Sequence, residues 1–151
     1  MARKVVVVGA GGAGIAAALE ARRAGAEVTV LEADKYLGGA TVRAGGVIFA
    51  AGTRVQKEAG IADSVDELVN YYETVAHHQL EPRMLRTSAE GTRDVIDWLG
   101  ELGITWDPKR LYVAGLEFKP RGHMPTGNTR GLGPGGGAII VASMLTAVEE
   151  L

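Results

Sequence analysis

An unbroken apolar run, Val5–Val8, opens the chain and stops at Gly9. The run is short and β-branched at every position, which predicts a strand buried on both faces. The next stretch, G-A-G-G-A-G-I-A-A-A-L-E-A-R-R-A-G-A, is first glycine-rich and then alanine-rich. It predicts a tight turn running into a helix. A second apolar run, Val28–Leu31, predicts another strand and ends in Glu32. Strand, helix and strand in this order form a βαβ unit with parallel strands.

Past Glu32 the periodicity breaks. Tyr36–Thr53 is a glycine-rich connector with pairs at Gly38-Gly39 and Gly45-Gly46. Two such pairs bracketing small residues predict backbone lying flat against a ligand. Ser64-Val65-Asp66-Glu67 then reads as a capping box, with the Ser64 hydroxyl on the first turn and Glu67 reaching back. Leu68, Tyr71, Tyr72 and Val75 continue that helix at helical spacing. Pro82 opens another helix. Its apolar face is Leu85, Ala89, Val95, Ile96 and Leu99, Trp98 is a core anchor, and Gly100 or Gly103 ends it. Thr105–Asp107 and Leu111–Phe118 predict short strands. Lys119–Gly137 is a second glycine-rich loop, and Ala138–Leu151 predicts a final apolar helix. Glycines leading into that helix repeat the anion-binding arrangement expected of the first turn.

Chemistry sharpens the first motif. Gly9, Gly11 and Gly14 have the spacing G-x-G-x-x-G between a strand and a helix. Gly9 permits the sharp turn, Gly11 admits a pyrophosphate, and Gly14 lets the helix lie close to the strands. Helix N–H groups favour an anion at that end. Glu32, eighteen residues beyond Gly14, can accept hydrogen bonds from ribose hydroxyls. The acid disfavours NADP but leaves NAD and FAD open.

Composition narrows the classes. With 151 residues there is room for one domain with a real core. A net charge of −2 gives no reason to expect nucleic acid or an anionic membrane surface. The chain has no cysteine, which excludes disulfides, thiolate catalysis, cysteine-bound metals and a flavin linked through sulfur. Met-Ala-Arg-Lys and four valines do not make a signal peptide, and no apolar stretch is long enough to span a bilayer. A cytoplasmic protein is expected. His77 and His78 fall at a helix end, where solvated or capping roles are expected. No spacing resembles a metal site. His123, two residues after Arg121 in a glycine-rich loop, could face a ligand or not.

Nearly the whole chain resembles the N-terminal part of the flavin domain in the fumarate reductase/succinate dehydrogenase flavoprotein superfamily. The likeness is greatest to the soluble branch of fumarate reductases, urocanate reductase and 3-ketosteroid dehydrogenases. V-V-V-V-G-A-G-G-A-G-I-A-A-A is similar to its first motif, and L-E-A-D-K-Y-L-G-G-A-T-V-R-A-G-G to its second. Q-K-E-A-G-I-A-D-S, V-I-D-W-L-G-E-L-G-I and R-G-H-M-P-T-G resemble later segments. The implied fold is α/β: a Rossmann-like FAD-binding βαβ unit with appended helices, a partial flavin domain of the glutathione reductase type. The implied cofactor is FAD. Gly9, Gly11, Gly12, Ala13 and Gly14 would approach its pyrophosphate. Glu32, followed by Ala33, would hold the adenosine ribose. Gly39, Ala40 and Thr41 would lie along the diphosphate and ribityl chain. Ala44, Gly45 and Gly46 would reach the isoalloxazine, with Gly45 bordering the substrate. Arg121 and His123 would sit in a loop near the active site.

Membrane-bound members carry a flavin-linking histidine near the first glycine pair. This chain has Ala40 there, so the resemblance implies noncovalent FAD. Family members run to several hundred residues and carry a capping domain, a catalytic arginine and the substrate clamp beyond this region. The expectation is therefore a fragment or one part of a split enzyme, completed in cis or by a second chain and acting on a small-molecule substrate. No catalytic residue is assigned. An NAD-binding protein and a noncatalytic cofactor-binding subunit are the alternatives.

Overall fold

The computed structural model of the protein describes residues 2–113 and 119–151. Its elements run β1 (Lys4–Val8), α1 (Gly12–Arg23), β2 (Glu27–Leu31), β3 (Ile48–Phe49), α2 (Arg54–Glu58), α3 (Val65–Val75), α4 (Pro82–Glu101), β4 (Thr105–Trp106), β5 (Gly122–His123), β6 (Pro125–Thr126) and α5 (Gly136–Glu149). They form two compact units. One comprises Met1–Gly46, Leu102–Ile104 and Pro125–Leu151, the other Val47–Glu101 and Thr105–Met124.

The first unit is built on the expected βαβ. β1 and β2 are parallel, with Val5 opposite Val28 and Val8 opposite Leu31. α1 returns across them and buries Ile15, Ala18 and Leu19. It lies this close because position 14 has no side chain: a Cβ there would overlap the Gly9 carbonyl oxygen. α5 packs on α1 and buries Ile140, Val141, Ala142 and Met144. It starts at Gly136, two residues before the expected Ala138. Burial of the strands on both faces is not observed. Val6, Val8 and Leu31 are 62%, 82% and 53% exposed, because two strands and one helical layer cover one face of a sheet.

In the second unit α3 and α4 pack around Leu68, Val69, Ala89 and Ala51. Ala50, Val55 and Ile96 form another cluster, with Ile48, Trp106 and Leu111 against it. β3 pairs antiparallel with β5, Ile48 opposite His123. Trp106 packs against this cluster and donates its indole N–H to the Ile96 carbonyl at 3.1 Å; Trp98, the expected anchor, is half-buried, as Trp106 is. Val95, expected on the apolar face of α4, is 39% exposed. α4 runs through Gly100, and the positive φ follows at Gly103. Tyr112 exchanges both backbone hydrogen bonds with Gly122, but residues 114–118 of the strand expected over Leu111–Phe118 lie outside the described residues.

Two caps differ from expectation. Ser64 accepts the Glu67 amide, but the Glu67 carboxylate turns away to take the Lys119 ammonium at 2.6 Å. A reciprocal capping box forms instead at Thr53 and Gln56, starting α2, a helix the hydrophobic pattern does not reveal. At the end of α3, His77 and His78 adopt positive φ, and the His78 amide donates to the Glu73 carbonyl at 2.8 Å. Among the described residues no helix is long and apolar enough to cross a membrane.

Candidate cofactor-binding site

The turn after β1 is an open cradle. Gly9 takes a φ of +94°, which swings the chain off the strand. Above it the amides of Ala13 and Gly14 make no hydrogen bond to an acceptor among the described residues. The Gly12 amide donates to the Thr41 hydroxyl at 3.3 Å. A Cβ built on Gly11 would meet nothing within 4 Å, so it would project into open space. Unpaired amides at a helix N-terminus beside unfilled space suit the diphosphate of a dinucleotide.

Glu32 stands at the rim. Its Oε2 accepts the Ala10 amide at 2.6 Å and its Oε1 the Asp34 amide at 2.9 Å. The Asp34 amide first, and the Ala10 amide after it, hold the carboxyl below its ordinary pKa. It is therefore ionised and acceptor-only at neutral pH, with lone pairs left for ribose hydroxyls. Two backbone donors fix its direction before any ligand arrives.

The connector folds back onto this turn. The Gly38 amide donates to the Ala10 carbonyl at 2.8 Å, which brings Gly39 against Gly11. Ala40 then precedes a 3-10 turn, Thr41–Arg43, whose first residue points its hydroxyl at Gly12. The structure thus gathers Gly9, Gly11, Gly12, Ala13, Gly14, Glu32, Gly39 and Thr41. Ala33 is exposed beside Glu32.

Ala44, Gly45 and Gly46 have another partner. The Gly137 amide donates to the Ala44 carbonyl and the Gly136 amide to the Gly45 carbonyl, both at 3.1 Å. A Cβ on Gly46 would overlap the Gly136–Gly137 peptide. The second anion-binding helix start expected at α5 is accordingly not free. Its first amides are occupied by the connector, and its glycines serve close backbone packing. A cleft of about 660 Å³ lies between Lys35, Tyr36, Arg43, Leu132 and Leu145. It takes in Gly39 but none of the other expected cofactor residues.

Arg121 and His123 turn inward in the second unit. The Arg121 guanidinium binds Asp63 through two bonds, Nε to Oδ2 at 2.7 Å and Nη2 to Oδ1 at 2.9 Å, and both side chains are buried. It also lies over the Tyr71 ring, 5.6 Å from its centroid. Gln56 bridges Asp63 and the Pro120 carbonyl, donating to each at 3.0 Å. His123 is fully buried and meets Thr53. Sequence reasoning missed Thr53, Gln56 and Asp63. The T-x-x-Q spacing is a signal for the first two, while nothing in the pattern marks Asp63.

Comparison with known proteins identifies the family. A family profile described as "FAD binding domain" matches residues 4–149. Urocanate reductase of Eggerthella lenta is 37% identical over 125 residues, covering 82% of this chain and 20% of that protein. The open conformation of a flavocytochrome c3 fumarate reductase superposes with a TM-score of 0.83 at 30% identity, over 99% of this chain and 25% of its own. A 3-ketosteroid-Δ4-(5α)-dehydrogenase from Rhodococcus jostii RHA1 gives 0.80 at 28% identity, over 98% and 36%. The chain spans about a fifth to a third of the length of these relatives.

Proposed function

This chain belongs to the FAD-binding-domain family, and on that premise we propose that it is the FAD-binding portion of an oxidoreductase that reduces or forms a C–C double bond next to a carbonyl or carboxylate. The observation that carries the reading is the open Gly9–Gly14 turn with Glu32 held at its rim. FAD replaces NAD as the dinucleotide left open by that acid.

When bound, the flavin supplies hydride exchange with a substrate carbon. The chain's own residues bind and orient it. The Ala13 and Gly14 amides hold the pyrophosphate, the Gly11 backbone permits the approach, and Glu32 accepts from the ribose. Gly12, Gly39, Ala40 and Thr41 border the diphosphate and ribityl chain, and Ala44, Gly45 and Gly46 border the ring system. The contact is noncovalent, with Ala40 where a linking histidine would stand. No acid or base for the second proton is assigned to this chain. In this proposal the rest of the flavoenzyme, in cis or as a second chain, covers the apolar face of Val6, Val8 and Leu31 and supplies the substrate clamp. A cytoplasmic location belongs to the same proposal, and cell fractionation tests it.

Acid precipitation of the purified flavoprotein should leave free FAD in the supernatant. Flavin retained on the precipitate would refute noncovalent binding, and a folded protein without flavin would refute the whole reading. The Glu32→Ala protein should lose FAD affinity by about tenfold or more, the scale of a hydrogen bond to a charged group. Its fold should survive, because Glu32 is a strand-end residue outside the core, with a modest drop in melting temperature as the buried Ala10 amide loses its acceptor. Equal FAD occupancy in the two proteins would make Glu32 a turn-stabilising acid only.

A further inference from the structure

The flavin reading gives His123 no contact with the cofactor, yet it is fully buried and both ring nitrogens have partners. Nδ1 lies 2.8 Å from the Arg121 carbonyl oxygen and 3.3 Å from that of Ile48. Both are pure acceptors, so Nδ1 carries the hydrogen. Nε2 lies 2.8 Å from the Thr53 hydroxyl. With the hydrogen of the neutral ring on Nδ1, Nε2 is the acceptor, so the Thr53 hydroxyl, which accepts the Gln56 amide at 3.1 Å, donates its own hydrogen to Nε2. The partners thus select one neutral tautomer, and with it each group in the line is satisfied.

We propose that His123, as the neutral Nδ1–H tautomer, is a positioning residue that ties β3 to the cap of α2 and so holds the segment leaving Gly46. The inference rests on the flavin reading in one respect: Val47–Phe49 continues directly from the glycine pair expected at the isoalloxazine. β3 is two residues long and is held at three points. These are the Ala50 amide on the Arg121 carbonyl at 3.1 Å, the strand pairing with β5, and the imidazole at the Ile48 carbonyl.

Protonation would undo the tie. A hydrogen on Nε2 would face the Thr53 hydroxyl hydrogen, which would lose its acceptor. Burial also pushes the ring's pKa below its ordinary value. Of the charged groups on the surrounding segments, Lys57, Lys109 and Arg110 are exposed to solvent, and the others have partners. Arg121 is held by Asp63, Lys119 by Glu67 and Asp63, and Arg54 by Glu58, while Asp107 caps the turn after β4. β3, β4 and β5 present no other charge. A histidine with a depressed folded-state pKa stabilises fully above about pH 6.5 and loses that contribution as pH falls through its folded value.

The test uses the FAD-loaded protein encoded by the whole gene. It measures the FAD dissociation rate and the exchange protection of the Ala50 and Gln56 amides against pH. In the wild type both should hold at neutral pH and weaken together on acidification below about pH 6.5. His123→Ala should speed FAD release about tenfold at all pH values, the scale of one or two hydrogen bonds, with no acid step. His123→Asn keeps a donor where Nδ1 was; it should restore most of the neutral-pH behaviour and also lack the acid step. An acid step that persists in His123→Asn, or ring nitrogen shifts showing an Nε2–H tautomer in the wild type, would overturn the proposal. Should His123→Ala not fold, the wild-type profile and His123→Asn decide it. Should the protein carry no flavin, the flavin reading fails, and amide protection still decides whether the tie exists.

Discussion

Gly11→Val should give a protein that folds and binds no detectable FAD. The fold should survive because a Cβ at this position meets nothing within 4 Å of the protein itself. The backbone there is extended, as the N-cap of α1, with a φ of −74° that valine adopts freely. Ligand binding should fail because the same Cβ and its two methyls enter the space the diphosphate must occupy, over amides that only close approach can use. Gly14 provides the contrast: its Cβ would strike the Gly9 carbonyl, so substitution there damages the βαβ unit directly. Circular dichroism, thermal melting and flavin content of Gly11→Val make the measurement. Normal flavin content would remove the pyrophosphate from this turn, and loss of secondary structure would show the glycine to be structural.

The largest stability loss is expected at Arg121. Arg121→Met keeps the bulk and deletes the charge, leaving the Asp63 carboxylate buried without its two-bonded partner. Removing one member of a buried pair costs roughly 3–5 kcal/mol. The Lys119 ammonium, 3.7 Å from Asp63, places the effect at the lower end. The sign of the pH dependence separates this cause from lost packing. In the wild type burial pushes the Asp63 carboxyl up, but hydrogen bonds from Arg121 and Gln56 outweigh it and leave the pKa lowered. The pair therefore stabilises fully above about pH 3.9, and the contribution fades as pH falls through the depressed value. In Arg121→Met burial acts with less opposition, so Asp63 should take up a proton at higher pH and the deficit should shrink on acidification. Urea unfolding of both proteins between neutral and mildly acidic pH tests this. A constant deficit, or one below about 1 kcal/mol, would mean that the ion pair adds little net stability.

The βαβ unit was legible because its determinants are local. Val5–Val8, the glycine spacing and Val28–Leu31 each act within a few residues, and Glu32 follows from where β2 ends. The connector was legible as a place of close approach, but not what approaches. Nothing local says that the Gly45 carbonyl takes an amide from Gly136, ninety-one residues away in sequence. The same limit hid the Asp63–Arg121 pair, since an isolated aspartate before a capped helix looks like any turn residue. Glu67 illustrates the competition directly. Its spacing from Ser64 fits a capping box, but a lysine from a distant loop offers a charged partner, which is stronger than the backbone N–H. His123 stood undecided between ligand and core because the residues flanking it are glycine and methionine, which fit either setting.

The first compact unit is interrupted in sequence: α1 ends at Arg23, and its packing partner α5 begins at Gly136. During synthesis the intervening stretch, on the order of a hundred residues, takes roughly five to twenty seconds to emerge. For that interval the side of α1 that will meet α5 has no partner, while the whole second unit, Val47–Glu101 and Thr105–Met124, has already been made. The packing of α1 on α5 can therefore be completed only after the whole second unit has been synthesised. The entropic cost of closing so long a loop grows only logarithmically with its length. Elongation speed between Val47 and Met124 should accordingly govern how long the nascent N-terminal segment remains a client for chaperones.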